Sequence, residues 1–118
     1  MKTELYKNQV KENVVAAMLD YMSEDEDCGY SKKDVQKCER VLLEYLDKLG
    51  GLINPTDELI MEQVKKAVLA LNKLNNKTDY CLIETDAREA IWQVIQNSAV
   101  DCGLSSSLED VTEEWREW

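Results

Sequence analysis

Histidine is absent from all 118 residues. That removes the commonest general base near neutral pH and the commonest zinc ligand. No Ser–His or Cys–His nucleophile can be assembled within the chain, and the Glu-x-x-His signature of di-iron bundles is excluded. Proline occurs once and glycine four times, which favours long uninterrupted helices over a turn-rich β fold. No apolar run approaches the roughly 18 residues of a membrane-spanning helix. There is no glycine-rich phosphate loop and no internal repeat. The four cysteines, Cys28, Cys38, Cys81 and Cys102, are widely spaced with no C-x-x-C pair. Met1-Lys2-Thr3-Glu4 leads into a polar amphipathic stretch and not an apolar signal region, so free thiols and a cytoplasmic location are expected.

What is present is a composition able to fold. Hydrophobic residues make up 44% and charged residues 32%, enough for one core in one domain. The net charge is −10, and it is unevenly placed. Asp20 to Asp27 holds five carboxylates and no base; Glu109 to Glu117 holds five carboxylates against Arg116. The remainder has fourteen acids and thirteen bases, a nearly neutral body. Such patches repel nucleic acid and anionic membranes.

Apolar periodicity at steps of three and four predicts an all-α, antiparallel four-helix bundle-like domain over 1–104, with helices near 3–23, 31–49, 55–75 and 86–102. The first carries Tyr6, Val10, Val14, Ala17 and Tyr21 on one face, widened by Val15, Met18 and Met22; the second carries Val35, Cys38, Leu42, Tyr45 and Leu49. Ser31 to Asp34 resembles a capping box, and Gly50-Gly51 stops the second helix. The third starts at Asn54-Pro55-Thr56-Asp57 and carries Ile60, Val64, Ala67, Leu71 and Leu74, fraying at Asn75-Asn76. Tyr80 to Ile83 reads as an apolar connector tucked under the core. The fourth, capped by Thr85 or Asp86, carries Ala87, Ile91, Val94, Ile95 and Ser98 and ends at Gly103. Residues 105–118 form an acidic, tryptophan-containing segment with Leu108, Val111, Trp115 and Trp118 at helical spacing, expected to be a short fifth helix or a segment ordered by docking.

Two sites of metal chemistry are weighed on spacing. Glu58 and Glu62 stand at i, i+4, as a carboxylate-based magnesium hydrolase needs, but Glu39 and Glu44 on the second helix stand at i, i+5, poor geometry for a second pair. A calcium loop with Gly29 at its sixth position would put Glu24 and Glu26 first and third, Cys28 fifth and Val35 twelfth, leaving two oxygen ligands missing. Cys28, beside four carboxylates, is expected to be a dull nucleophile. No catalytic, cofactor-binding or metal-ligating residue is assigned, and no cofactor is expected.

The expected role is a non-enzymatic one: an acidic helical protein that binds and inhibits or regulates a basic protein partner, of which an immunity protein against a nuclease-type toxin is one concrete form. The candidate partner-binding residues are Glu24, Asp25, Glu26, Asp27 and Tyr30 at the acidic loop, Trp92 at the edge of the fourth helix's stripe, and Glu113, Glu114, Trp115 and Trp118 in the C-terminal segment. The plainer alternative for the last two indoles is burial on the chain's own core. A structural or regulatory adaptor, homodimeric through its helix faces, and a magnesium-dependent nucleotide hydrolase are the competing readings.

Overall fold

The computed structural model describes residues 1–25, 27–105 and 110–118. Glu26, and Leu108 and Glu109 of the C-terminal segment, lie outside the described residues. The described chain is all-α. A first rod is made of α1 (Thr3–Gln9), a π-helical segment (Val10–Val15) and α2 (Ala16–Glu24), followed by α3 (Lys32–Gly50), α4 (Asp57–Lys77) and α5 (Thr85–Asp101). The junction residues of the rod all keep right-handed helical dihedrals, so it is continuous. Short connections make successive helices antiparallel.

The π-helical segment has a physical cause in the apolar spacing. Tyr6, Val10, Val14 and Met18 recur at strict steps of four, and all are buried. In a regular α-helix each such step leads the 3.6-residue turn by about 40°, so the stripe would wind off the core. The wider i→i+5 turn takes up that drift. This corrects the expected seam: Ala17 is half-buried, and Tyr21 is 39% exposed.

The other helices bury what their spacing implies, with additions. Leu46 joins the α3 stripe, and on α4 Leu74 is half-buried while Asn72 and Asn75 are buried. Tyr45 of α3 reaches across the core, its hydroxyl 2.9 Å from that of Ser98 on α5. The start of α3 is fixed by Asp34, whose carboxylate accepts from the Ser31 N–H at 2.9 Å. At α4 the cap is Thr56, which accepts from Leu59 N–H at 3.2 Å; Asn54 sits outside with φ 45. Pro55, which the sequence places in the first turn behind an Asn54 cap, thus lies just before the Thr56 cap and outside the helix. The α5 cap is Glu84, one residue before the expected pair. Gly103, at φ 115, closes α5 with Leu104 N–H donating to Ala99 O.

Asn75 does not mark a fray. Helix α4 continues to Lys77, and the Asn75 side chain accepts from the Ile83 N–H at 3.0 Å while Thr78 Oγ1 accepts from the Leu82 N–H at 3.2 Å. These bonds satisfy the backbone of Leu82 and Ile83 as an adjoining strand would; only those two residues of the connector are tucked under the core, because Tyr80 is 54% exposed and Cys81 half-buried. Asp79 and Tyr80 turn the chain there with φ of 57 and 64.

Packing runs from α4 to α3, from α3 to the rod, and from the rod to α5; the α4–α5 seam is sparser. The loop before α3 is held against the α4–α5 connector at Gly29. Its φ is 89, and a Cβ there would lie 2.8 Å from Cys81 Sγ. Gly29→Ala is therefore expected to destabilise by about 1–3 kcal/mol, from left-handed backbone strain and the close sulfur together. A urea titration checks this as a lower midpoint with unchanged slope.

Candidate partner-binding surface

The rod and α5 pack through small and apolar side chains but carry carboxylates on their outer edges. Ala16 and Ala17 of α2 and Ala90 of α5 are too short to fill the space between the edges. The result is an open groove of about 530 Å³ lined by Glu12, Asp20 and Glu24 from the rod and Asp86 and Glu89 from α5, with Tyr21 beside them. Asp86 and Glu89 share a face because they are three residues apart on a helix. No lysine or arginine lines the groove. Asp86 in the first turn of α5 suits the helix dipole, whereas Glu24 at the end of α2 opposes it. Glu24 is thus a charge that the local fold does not need.

The acidic loop continues from this groove. Asp25 and Asp27 are exposed, and the Asp25 carboxylate accepts from the Asp27 N–H at 3.0 Å. Tyr30 pins the loop back to the rod: its hydroxyl donates to Met18 O at 2.7 Å, and its ring stacks on Tyr21 at 6.3 Å. Burial, with Cys28 and Tyr21 nearby, pushes the Tyr30 phenol up to about 12, so it stays a neutral donor. A recess of about 200 Å³ between Tyr21, Tyr30, Glu84 and Asp86 joins loop to groove. Among the described residues the ion pairs are Lys7–Asp47, Lys66–Glu62 and Arg116–Asp110, none of which neutralises the loop or the groove.

The C-terminal segment straps the sparse α4–α5 seam. Val111 and Thr112 are buried, and Val111 N–H donates to Gln96 Oε1 of α5 at 2.9 Å. On the α4 side, Asn72 Nδ2 donates to Trp115 O at 2.7 Å and Asn72 Oδ1 accepts from the Glu117 N–H at 3.0 Å. Residues 111–115 form turns, with Arg116 N–H donating to Thr112 O, and not a regular fifth helix. Trp115 and Trp118 are half-buried against the core. Lys65 Nζ lies 6.0 Å from the Trp115 ring and the Arg116 guanidinium 5.3 Å from that of Trp118. Glu113 and Glu114 stay exposed. Trp92 is half-buried on α5, and its indole N–H, like that of Trp118, is buried without an acceptor among the described residues.

Of the residues singled out in the sequence, Glu24, Asp25, Asp27 and Tyr30 fall together at one end of the acidic groove. The three tryptophans do not join them. Glu12, Asp86 and Glu89 give no such signal in the sequence, because each looks like an ordinary solvated position on its own helix; Asp20 shows only as part of the acidic run, and Tyr21 reads as a core position. The signal that unites them is the rod–α5 packing, which periodicity does not specify. Glu58 and Glu62 are exposed on α4, and Glu62 turns to Lys66 at 3.6 Å. Among the described residues no three His, Cys, Asp or Glu side chains converge where a metal ion could sit. Cys38 is fully buried, and desolvation pushes its thiol up to about 12. No helix is long and apolar enough to cross a membrane among the described residues. No family model, curated protein or solved structure matches the chain.

Proposed function

We propose that this chain binds a basic protein partner through the groove between the rod and α5, and inhibits or regulates it by covering a cationic surface. The observation that carries this reading is the convergence of Glu12, Asp20, Glu24, Asp86 and Glu89 on one groove whose lining contains no lysine or arginine. Tyr21, 39% exposed beside them, supplies an aromatic contact of the kind enriched in binding hot spots. Asp25 and Asp27 extend the negative surface onto the adjacent loop. A concave field of one sign raises the encounter rate with an oppositely charged partner and disfavours nucleic acid and anionic lipid. An immunity or inhibitor protein is the form of partner control that such a surface suits.

The test compares two double charge reversals that alter net charge equally. Asp20→Lys with Glu89→Lys changes the groove; Glu58→Lys with Glu62→Lys changes exposed positions on α4. The basic protein retained from native cells by the immobilised chain should associate with the groove variant at least about tenfold more slowly. The α4 variant should bind nearly as the parent does. Equal losses in both would reduce the interaction to nonspecific ion exchange and sink the reading.

A further inference from the structure

The near-neutral charge of the body conceals a second, opposite surface. Along the α3–α4 seam the first half of α3 lies beside the second half of α4. Lys37 and Arg40 from α3 and Lys73 and Lys77 from α4 rim a groove of about 380 Å³ whose floor is Val41, Ala70 and Leu74. Those three floor residues are each half-buried and so retain apolar surface. Among the described residues, none of the four rim cations makes an ion pair. Among the described residues no carboxylate lines this groove. It runs on past Val41 and Ala70 towards Lys48 and Lys66, where Glu44 is the first acid to appear. From Lys37 to Lys48 the seam measures about 17 Å at 1.5 Å per helical residue, the length of roughly three turns of a docked helix.

The geometry points to the α3–α4 seam as a docking groove for an acidic amphipathic helix of a partner protein, distinct from the acidic groove on the rod–α5 side. The shape and the charge each select this occupant. A long trough between two helices receives a convex rod, and an apolar floor takes the hydrophobic stripe of an amphipathic helix. The four rim cations then meet carboxylates flanking that stripe. A nucleic acid would gain from the cations but leave the apolar floor unused, and it would approach a chain of net charge −10. A second copy would have to present an acidic helix with an apolar stripe; its acidic groove is concave, and its exposed acids at Asp25, Asp27, Glu113 and Glu114 stand on a loop and on turns, not on a helix. The chain would thus present two faces of opposite charge, each selecting a different partner chemistry.

The experiment uses the full chain and a fluorescently labelled 14-residue helical peptide with leucines at i, i+3, i+7 and i+10 and glutamates flanking them. A scrambled peptide of the same composition and a single-stranded RNA oligonucleotide are the comparisons. Anisotropy titration should show binding of the amphipathic peptide at least tenfold tighter than of the scrambled one. Lys37→Glu with Lys73→Glu should weaken it at least tenfold, and the uncharged Leu74→Asn should also weaken it several-fold while leaving the charge of the groove unchanged. Asp20→Lys with Glu89→Lys should leave the peptide's affinity within about twofold, which separates this groove from the acidic one. Circular dichroism establishes that each variant is folded. Equal binding of the scrambled peptide, equal binding of the RNA, or no response to the charge reversal would each overturn the assignment. So would sedimentation showing a dimer at low salt that Lys73→Glu dissolves, because the occupant would then be a second copy.

Discussion

Asn72→Ala is expected to destabilise the protein by about 2–3 kcal/mol and to release the C-terminal segment from α4. Asn72 is 8% exposed, and its amide makes a reciprocal pair with the segment: Nδ2 donates to Trp115 O at 2.7 Å, and Oδ1 accepts from the Glu117 N–H at 3.0 Å. A third contact, Nδ2 to Glu117 Oε2, measures 3.3 Å. Each bond contributes about 1 kcal/mol net, and truncation leaves the Trp115 carbonyl and the Glu117 N–H without their side-chain partner. The segment also buries its own Val111 and Thr112, which are 1% and 0% exposed, so undocking brings both into water. Urea unfolding should show the loss, and tryptophan emission should shift to the red under native conditions as Trp115 and Trp118 meet water. Glu117→Gln is the control: the Glu117 bond to Asn72 Oδ1 comes from the backbone, and stability should stay close to the parent. Unchanged emission and midpoint in Asn72→Ala would mean that the indoles hold the segment by packing alone.

Asn75→Ala is the second large effect, again about 2–3 kcal/mol, and it acts on the connector between α4 and α5. Asn75 is 3% exposed and Ile83, whose N–H it accepts at 3.0 Å, is 5% exposed. Removing the acceptor leaves a buried donor unmade, which costs more than the net value of the bond. The neighbouring bond from Leu82 N–H to Thr78 Oγ1 remains, so the connector loosens locally and does not fall away. Native-state hydrogen exchange gives the specific readout: the Ile83 amide should lose protection well beyond the global change, with the Leu82 amide less affected. Protection at Ile83 equal to the parent's would contradict the role assigned to Asn75.

Much of the fold can be read from periodicity, and where it cannot the reasons are local. Helix α3 is the clearest case. Its apolar residues alternate by three and four, a capping carboxylate stands at Asp34, and glycines end it, so local signals and packing agree. The rod was legible as a helix but not in its register. Steps of four from Tyr6 to Met18 fit a narrow face only if the helix widens, whereas a pattern matched to 3.6 residues spreads the face to take in Ala17 and Tyr21 beside Met18. Asn75 misled for a different reason. Asparagine near a helix end reads as a stop, yet here the amide substitutes for a strand partner that the connector lacks.

The charge pattern was half legible. The run from Glu24 to Asp27 is visible in the sequence because its carboxylates are contiguous. Glu12, Asp86 and Glu89 are separated by up to 77 positions and meet only when the rod packs on α5. The basic seam was hidden by averaging. Lys37, Arg40, Lys73 and Lys77 are offset by acids elsewhere on α3 and α4, so segment totals stay close to neutral while the surface is sorted by sign. A binding surface is decided by which helix edges become neighbours, and composition is blind to that.

On the proposed function, the rod–α5 groove with its adjoining loop is where a basic protein partner binds. The most direct measurement is a chemical-shift map of the isotope-labelled full chain titrated with the basic protein that the immobilised chain is expected to capture from native cells. The largest changes should fall on Glu12, Asp20, Tyr21, Glu24, Asp86 and Glu89, and they should fade as salt is raised. Changes confined to the α3–α4 seam or to the C-terminal segment, or a pattern indifferent to salt, would contradict that proposal.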